Sequence, residues 1–316
     1  MTLPLRSLVL RRLAAVALAL MACTVAVAAD LHDGSATKPL RVMLIPADGG
    51  TEDGTRADFA PLFRALGASS GLAFDLKVGQ SYSAVVEAMA SGHAEVAFFG
   101  PVSYLAAHQR GGAELLAVAV EKGHSIYYSG IFARADSGIA SLADLKGRSL
   151  ALGDVNSTSS FAYPVAMLIA GGIDPINGLG KLIIAGSHAN SLAALNEGRV
   201  DACAASFDSF EKAVKQGTID ASKLKVVAKS EPIPYPPLAM HPGLPAATKA
   251  RLREYLANVH QAAGITPDMI RGYGGKKVDR YDTTVAEQVM ADVGVKLAAV
   301  TEELKAATLT KAGNAK

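Results

Sequence analysis

"GDVNSTSSFAYP", residues 153–164, sets four hydroxyl side chains in a row, Ser157 to Ser160, between two apolar runs. The run before it, Ser149 to Leu152, reads as a buried strand, and the run after it, Val165 to Ala170, as a helix. The hydroxyls therefore fall where a strand turns into a helix. Such a junction presents backbone N–H groups with no intrahelical partner and about half a positive charge, which together receive anions. One hydroxyl explains a helix cap, and Asn156 or Ser157 would serve. The others exceed that need, because hydroxyl residues gain little inside a helix.

Outward from this stretch, strand-like and helix-like segments alternate. "LRVMLIP" (40–46) reads as a strand, and "DFAPLFRALGAS" (58–69) carries Phe59, Leu62, Phe63 and Leu66 at helical spacing. Strand 72–79, helix 83–92, strand 94–100 and a helix opened by Pro101 follow, then strands 115–121 and 128–134. The second series is strand 148–152, helix 164–171, strand 182–186, helix 190–197, strand 200–206, helix 208–216 and strand 224–230. A Pro-rich stretch, "EPIPYPPLAMHP" (231–242), then leads to a helical C-terminus. Strands alternating with short helices predict βαβ units and parallel sheets, in two groups over roughly 40–130 and 135–230. The chain should leave the first group near Phe132–Asp136 and the second near Pro232–Pro242. Two α/β lobes joined by two crossings enclose a hinged cleft, with ligands at the carboxyl ends of the strands.

The chain has 316 residues, 50% of them hydrophobic and 19% charged, enough for one large or two medium domains. Arg6, Arg11 and Arg12 precede an apolar run from Leu13 to Ala29, with no acid before Asp30. This is the pattern of a secretory signal peptide cut after Ala29. A lipoprotein acylation site at Cys23 and twin-arginine export through Arg11-Arg12 are the alternatives. Removing residues 1–29 takes away three arginines and no acid, so a net charge of +2 becomes 2 − 3 = −1. No basic patch then argues for nucleic acid. No later apolar run reaches the ~20 residues of a membrane span. With Cys23 removed, Cys203 is the sole cysteine and no internal disulfide forms.

Four collinear stretches carry a resemblance: "GDVNSTSS" with its following proline, "YSAVVEAMASGHAEVAFFGP" (82–101), "SGIFARADSGIASLADLKG" (129–147) and "AGSHANSLAALNEGRVDA" (185–202). Over residues 40–245 the chain resembles the phosphate/phosphite/phosphonate-binding family of ABC transporter periplasmic substrate-binding proteins. The resemblance implies an α/β, two-lobed type II periplasmic binding protein fold with two hinge crossings and the ligand in the interlobe cleft. Lobe 1 would hold 39–132 plus 238–316, and lobe 2 would hold 133–237. It implies ligand contacts from Ser157, Thr158 and Ser159, from Tyr82 and Tyr127 (with Tyr128 as the alternative), from His188 and from Asp208. It implies a small phosphorus oxyanion as ligand, ABC permease subunits or a membrane sensor as partner, a monomer, and no cofactor, metal or catalytic residue.

Each position also has a plainer reading. Tyr82 fits as a packing residue, His188 as a structural histidine and Asp208 as the cap of helix 208–216. Ser103 is a weaker candidate on the helix after Pro101, and Cys203 a soft ligand should the cargo be arsenite. A phosphoesterase built on Ser157 lacks any motif that pairs it with a base. One departure stands out. Family members that bind aminoalkyl phosphonates carry an acid in the second crossing, where this chain has "IPYPP" with Tyr235. That favours a small ligand such as phosphate, phosphite or methylphosphonate.

Overall fold

The computed structural model describes residues 30–48 and 51–314. The expected leader, its cut after Ala29 and Cys23 lie outside the described residues. Strands β1 (Leu40–Leu44), β2 (Phe74–Val78), β3 (Val96–Phe98) and β4 (Glu114–Val120) alternate with helices α1 (Glu52–Ser70), α2 (Tyr82–Ala90) and α3 (Pro101–Gln109). Helix α1 begins before its apolar stripe does. Thr51 caps it by accepting from Gly54 N–H, and Glu52 and Asp53 sit against the positive end of its dipole. Its polar first turn therefore left no periodic signal in the sequence.

Two short strands, β5 (Ile126–Tyr127) and β6 (Ser129–Arg134), come next, followed by β7 (Ser149–Leu152). A wide π-turn over Thr158–Ala162 then runs directly into α4 (Tyr163–Ala170). After it come β8 (Lys181–Ile184), α5 (His188–Asn196), β9 (Ala202–Ser206), α6 (Phe207–Lys215) and β10 (Leu224–Lys229). The chain returns through β11 (Ile233–Pro234) to β12 (Pro237–Met240), then α7 (Ala246–Asn258), β13 (Arg280–Asp282), α8 (Gln288–Lys296) and α9 (Glu302–Gly313).

The strands form a six-stranded sheet, β13-β4-β12-β3-β1-β2, and a five-stranded sheet, β10-β6-β9-β7-β8. Residues Leu115 to Val120 of β4 are all buried, as a strand covered on both faces requires. Both sheets are mixed, not parallel as the alternation predicts. β1 runs parallel to β2 and β3, and β7 to β8 and β9. β12 and β6 run antiparallel to their neighbours. Both enter a sheet straight from a crossing, so they arrive against the direction laid down by the βαβ units.

The first crossing also lies earlier than Phe132–Asp136. Strand β6, whose first residues the sequence reading gave to lobe 1, hydrogen-bonds along its length to β9. The crossings are β5 and β11, which pair antiparallel as a two-stranded ribbon, Tyr127 opposite Ile233. Ser129 and Ser230 tie the ribbon's end in both directions: Ser129 N–H donates to Ser230 Oγ at 3.0 Å, and Ser230 N–H to the Ser129 carbonyl at 2.9 Å.

The two sheets' loops meet along a cleft. Val102 N–H, at the start of α3, donates to Thr158 Oγ1 at 2.8 Å, and Asn156 Nδ2 donates to Ser83 Oγ at 2.9 Å. Lys212 pairs across it with Asp58, and Lys276 with Asp208.

Candidate functional site

Four helical segments begin at this cleft, each capped by a serine. Ser81, Ser157, Ser187 and Ser206 accept from the N–H groups of Ala84, Ser160, Asn190 and Ser209, three residues on in each case. The caps follow β2, β7, β8 and β9, so they lie at the carboxyl ends of strands. Tyr82 and His188 are the first helical residues after their caps, and Asp208 is the second after its own. The cap of α6 is Ser206, so the plainer reading of Asp208 as that helix's cap does not apply.

The protonation of His188 follows from its neighbours. Its Nδ1 accepts from Ser206 N–H at 2.9 Å, so the ring proton sits on Nε2. The side chain is 1% exposed, and burial drops its pKa to about 3. It is therefore a neutral donor at physiological pH, not the charged one that an anion site suggests. Ser157 is constrained in the same way. Its Oγ accepts from Ser160 N–H at 3.1 Å and from Ser160 Oγ–H at 2.7 Å, which uses both lone pairs. Its own O–H must then donate outward. Ser157 Oγ and His188 Nε2 stand 3.4 Å apart, each holding a proton. Tyr82 lies beside this pair and hydrogen-bonds Ser157, so both protons are available to one acceptor placed there. The fourth hydroxyl of the run, Ser160, is explained as well: it orients Ser157.

Thr158 and Ser159 complete the cradle. Thr158 Oγ1 accepts from Val102 N–H, leaving its own proton to donate, and the Ser159 carbonyl takes the Ser129 hydroxyl at 2.6 Å. Tyr127, on β5, lies beside both: burial pushes its pKa up, and hydrogen bonds from Ser159 and then Thr158 offset part of the rise. Burial, and then the fields of Asp48 and Asp154, raise Tyr82 while Ser157 opposes them. Both phenols keep their protons as further donors. The structure thus brings Tyr82, Tyr127, Ser157, Thr158, Ser159 and His188 to one place. Asp208 lies past Tyr127, with Oδ1 on Lys276 at 2.7 Å and Oδ2 buried without a partner.

A profile of the family described as ABC transporter, phosphonate, periplasmic substrate-binding protein matches residues 50–284. The chain belongs to this family. The family is one of extracytoplasmic transport substrate-binding proteins. It is 33% identical over 201 residues to a phosphate-import protein, PhnD, of Mycolicibacterium smegmatis, covering 60% of this chain and 62% of that protein. It is 24% identical over 223 residues to a phosphonates-binding periplasmic protein of Escherichia coli, covering 69% and 64%. The matched part thus spans under two thirds of these relatives' length. Its fold is that of PhnD1 from Prochlorococcus marinus, solved in complex with methylphosphonate, with a TM-score of 0.69 at 20% identity over 83% of this chain and 98% of that one.

Within this family member several side chains have other work. Tyr128, the alternative to Tyr127, lies under Lys229, whose Nζ is 3.7 Å from the ring centre. Ser103 donates to the Gly100 carbonyl and accepts from Gly100 N–H, both at 3.0 Å, which closes the first turn of α3. Cys203 is buried in an apolar cluster with Phe132, Ala151 and Leu195, and burial lifts its thiol pKa.

Sequence reasoning missed Asp48, Tyr273 and Lys276. The Tyr273 ring packs between His188 and Tyr127, its centroid 6.0 Å from each. Asp48 is 9% exposed, with the Ser209 and Tyr273 hydroxyls beside its carboxylate. Burial raises its pKa, and Ser209 and Lys212 only partly oppose it. Gly274, at φ 63°, is required there: a Cβ would lie 2.9 Å from Asp48 Oδ2. "GYGGKK" (272–277) was the available signal, a tyrosine beside a pair of glycines in a polar loop.

Proposed function

We propose that the chain is the solute-binding component of an ABC importer, capturing a small phosphorus oxyanion in the cleft between its sheets and delivering it to permease subunits. The observation that carries this is the buried pair Ser157 Oγ and His188 Nε2, 3.4 Å apart, on which the accepting positions of Ser157 and of His188 Nδ1 are already taken. An oxygen on phosphorus supplies an acceptor for both protons. Its other oxygens take the hydroxyls of Thr158, Ser159, Tyr82 and Tyr127. Charge-assisted hydrogen bonds contribute about 1.5–3 kcal/mol each, so several support micromolar capture. The names of the relatives, one importing phosphate and one solved with methylphosphonate, fit the same ligand class.

The lobes are the two sheets with their helices, and the β5–β11 ribbon is the hinge. The chain works as a monomer, exported through the leader expected at residues 1–29. A secreted phosphoesterase is disfavoured at the same pair. His188 would need a free lone pair on Nε2 to activate Ser157, and the Ser206 N–H fixes the proton there. The test is calorimetric titration of protein refolded from denaturant with phosphate, phosphite and methylphosphonate, with sulfate as control. Micromolar binding of at least one phosphorus oxyanion, lost in Ser157→Ala, is expected. No heat with any of them from folded protein contradicts the reading.

A further inference from the structure

Lys276 reaches into the cleft from the turn after Tyr273 and ends between two acids. Its Nζ lies 2.7 Å from Asp208 Oδ1 and 2.8 Å from Glu121 Oε2. Glu121 follows β4 of the first sheet and Asp208 lies on α6 after the second, so the ammonium bridges the two halves. Its side chain is 29% exposed, against 11% for Asp208 and 22% for Glu121, so the contact is partly shielded from water.

The wall between this ion cluster and the hydroxyl cradle is aromatic. The Tyr127 ring centre is 6.1 Å from that of Tyr235 and 6.0 Å from that of Tyr273. Tyr127 stands between the two: its hydroxyl meets Ser159 and Thr158, and its ring packs on Tyr235 and Tyr273, with the charge of Asp208 acting on both Tyr127 and Tyr235. A substituent on phosphorus that leaves the cradle past Tyr127 therefore arrives at Asp208. Three acids, Asp48, Asp208 and Glu121, gather there. Were Lys276 absent, that end would attract a cation. With it in place, two of its three donors are engaged on Asp208 and Glu121, and its charge already fills the centre.

We propose that Lys276 is a specificity-determining residue: its ammonium stands where a ligand's own cationic group would sit, so the cleft takes phosphorus oxyanions without an amine and rejects aminoalkyl ones. This rests on the cradle being a phosphorus-oxyanion site. An ammonium on the ligand would meet Lys276 as a like charge in a half-desolvated place, and such juxtapositions are strongly unfavourable.

The experiment titrates methylphosphonate and 2-aminoethylphosphonate into the wild-type chain, Lys276→Met and Lys276→Arg, with folding of each checked by circular dichroism. The wild type should prefer methylphosphonate by about 30-fold or more, and Lys276→Arg, which keeps the charge, should preserve that preference. Lys276→Met should shift the ratio of 2-aminoethylphosphonate to methylphosphonate affinity about tenfold or more toward the amine, relative to the wild type. Wild-type binding of 2-aminoethylphosphonate within about threefold of methylphosphonate overturns the proposal, and needs no variant to fold. A folded Lys276→Met whose ratio of the two affinities equals the wild type's overturns it too. If the wild type binds neither these nor phosphate nor phosphite, the reading of the cradle has failed, and this inference with it.

Discussion

At Ser157 and His188 the chemistry is decided by which lone pairs are already taken. His188→Asn places a carbonyl where Nδ1 accepts from Ser206 and deletes the Nε2–H. Affinity for the bound oxyanion should fall about tenfold, close to 1.4 kcal/mol, with folding retained. Calorimetry on the variant checks it, and an unchanged dissociation constant would remove His188 from the cradle. The same residue gives a pH prediction. Its folded pKa of about 3 lies below the ordinary 6.5, so it stays neutral while the unfolded chain takes up a proton. The stability it contributes is complete above pH 6.5 and is lost as pH falls toward about 3. At pH 5 the loss is about 2 kcal/mol. Denaturant melts of His188→Ala should show a shallower decline between pH 7 and 5 than the wild type, and parallel declines would contradict a buried neutral imidazole. Ser157, Thr158 and Ser159 stood out in the sequence because a helix start does not use that many hydroxyls. Asp48, Tyr273 and Lys276 did not, because each is a single residue in a polar loop, brought to the cleft only by the folded chain.

Among the elements, the turn from β7 into α4 is the most constrained. Gly153 N–H donates to the Ser160 carbonyl at 2.9 Å, and a Cβ on Gly153 would lie 2.0 Å from Ser160 Oγ. Gly153→Ala must therefore push Ser160 off Ser157. A cost of about 1–3 kcal/mol in stability is expected, with weaker oxyanion binding. Thermal melts and titration of the variant test this, and wild-type values for both would mean that Ser160 does not hold Ser157. Long apolar runs such as "LLAVAV" could be read as strands because both faces are buried. The short β13 could not, since its three residues take their strand form from β4 alongside. The polar first turn of α1 was invisible for the reason that it packs nothing periodic.

The molecule as a whole reads as two sheets joined by one ribbon, with contacts closing the cleft from both sides. The alternation of strands and helices was enough to predict two α/β halves. It could not place the first crossing, because β5 and β6 form one nearly continuous apolar stretch in which only pairing partners mark the boundary. Ligand should draw the halves together through the β5–β11 ribbon. A smaller radius of gyration by X-ray scattering at saturating methylphosphonate is expected, and an unchanged radius would count against hinge closure. The central claim is that one oxygen on phosphorus sits between Ser157 and His188. A crystal structure of refolded protein grown with methylphosphonate tests it most directly. The account predicts a phosphonate oxygen within about 3.2 Å of both Ser157 Oγ and His188 Nε2, inside hydrogen-bond reach. Phosphonate bound elsewhere, with those two donors still facing each other, would contradict it.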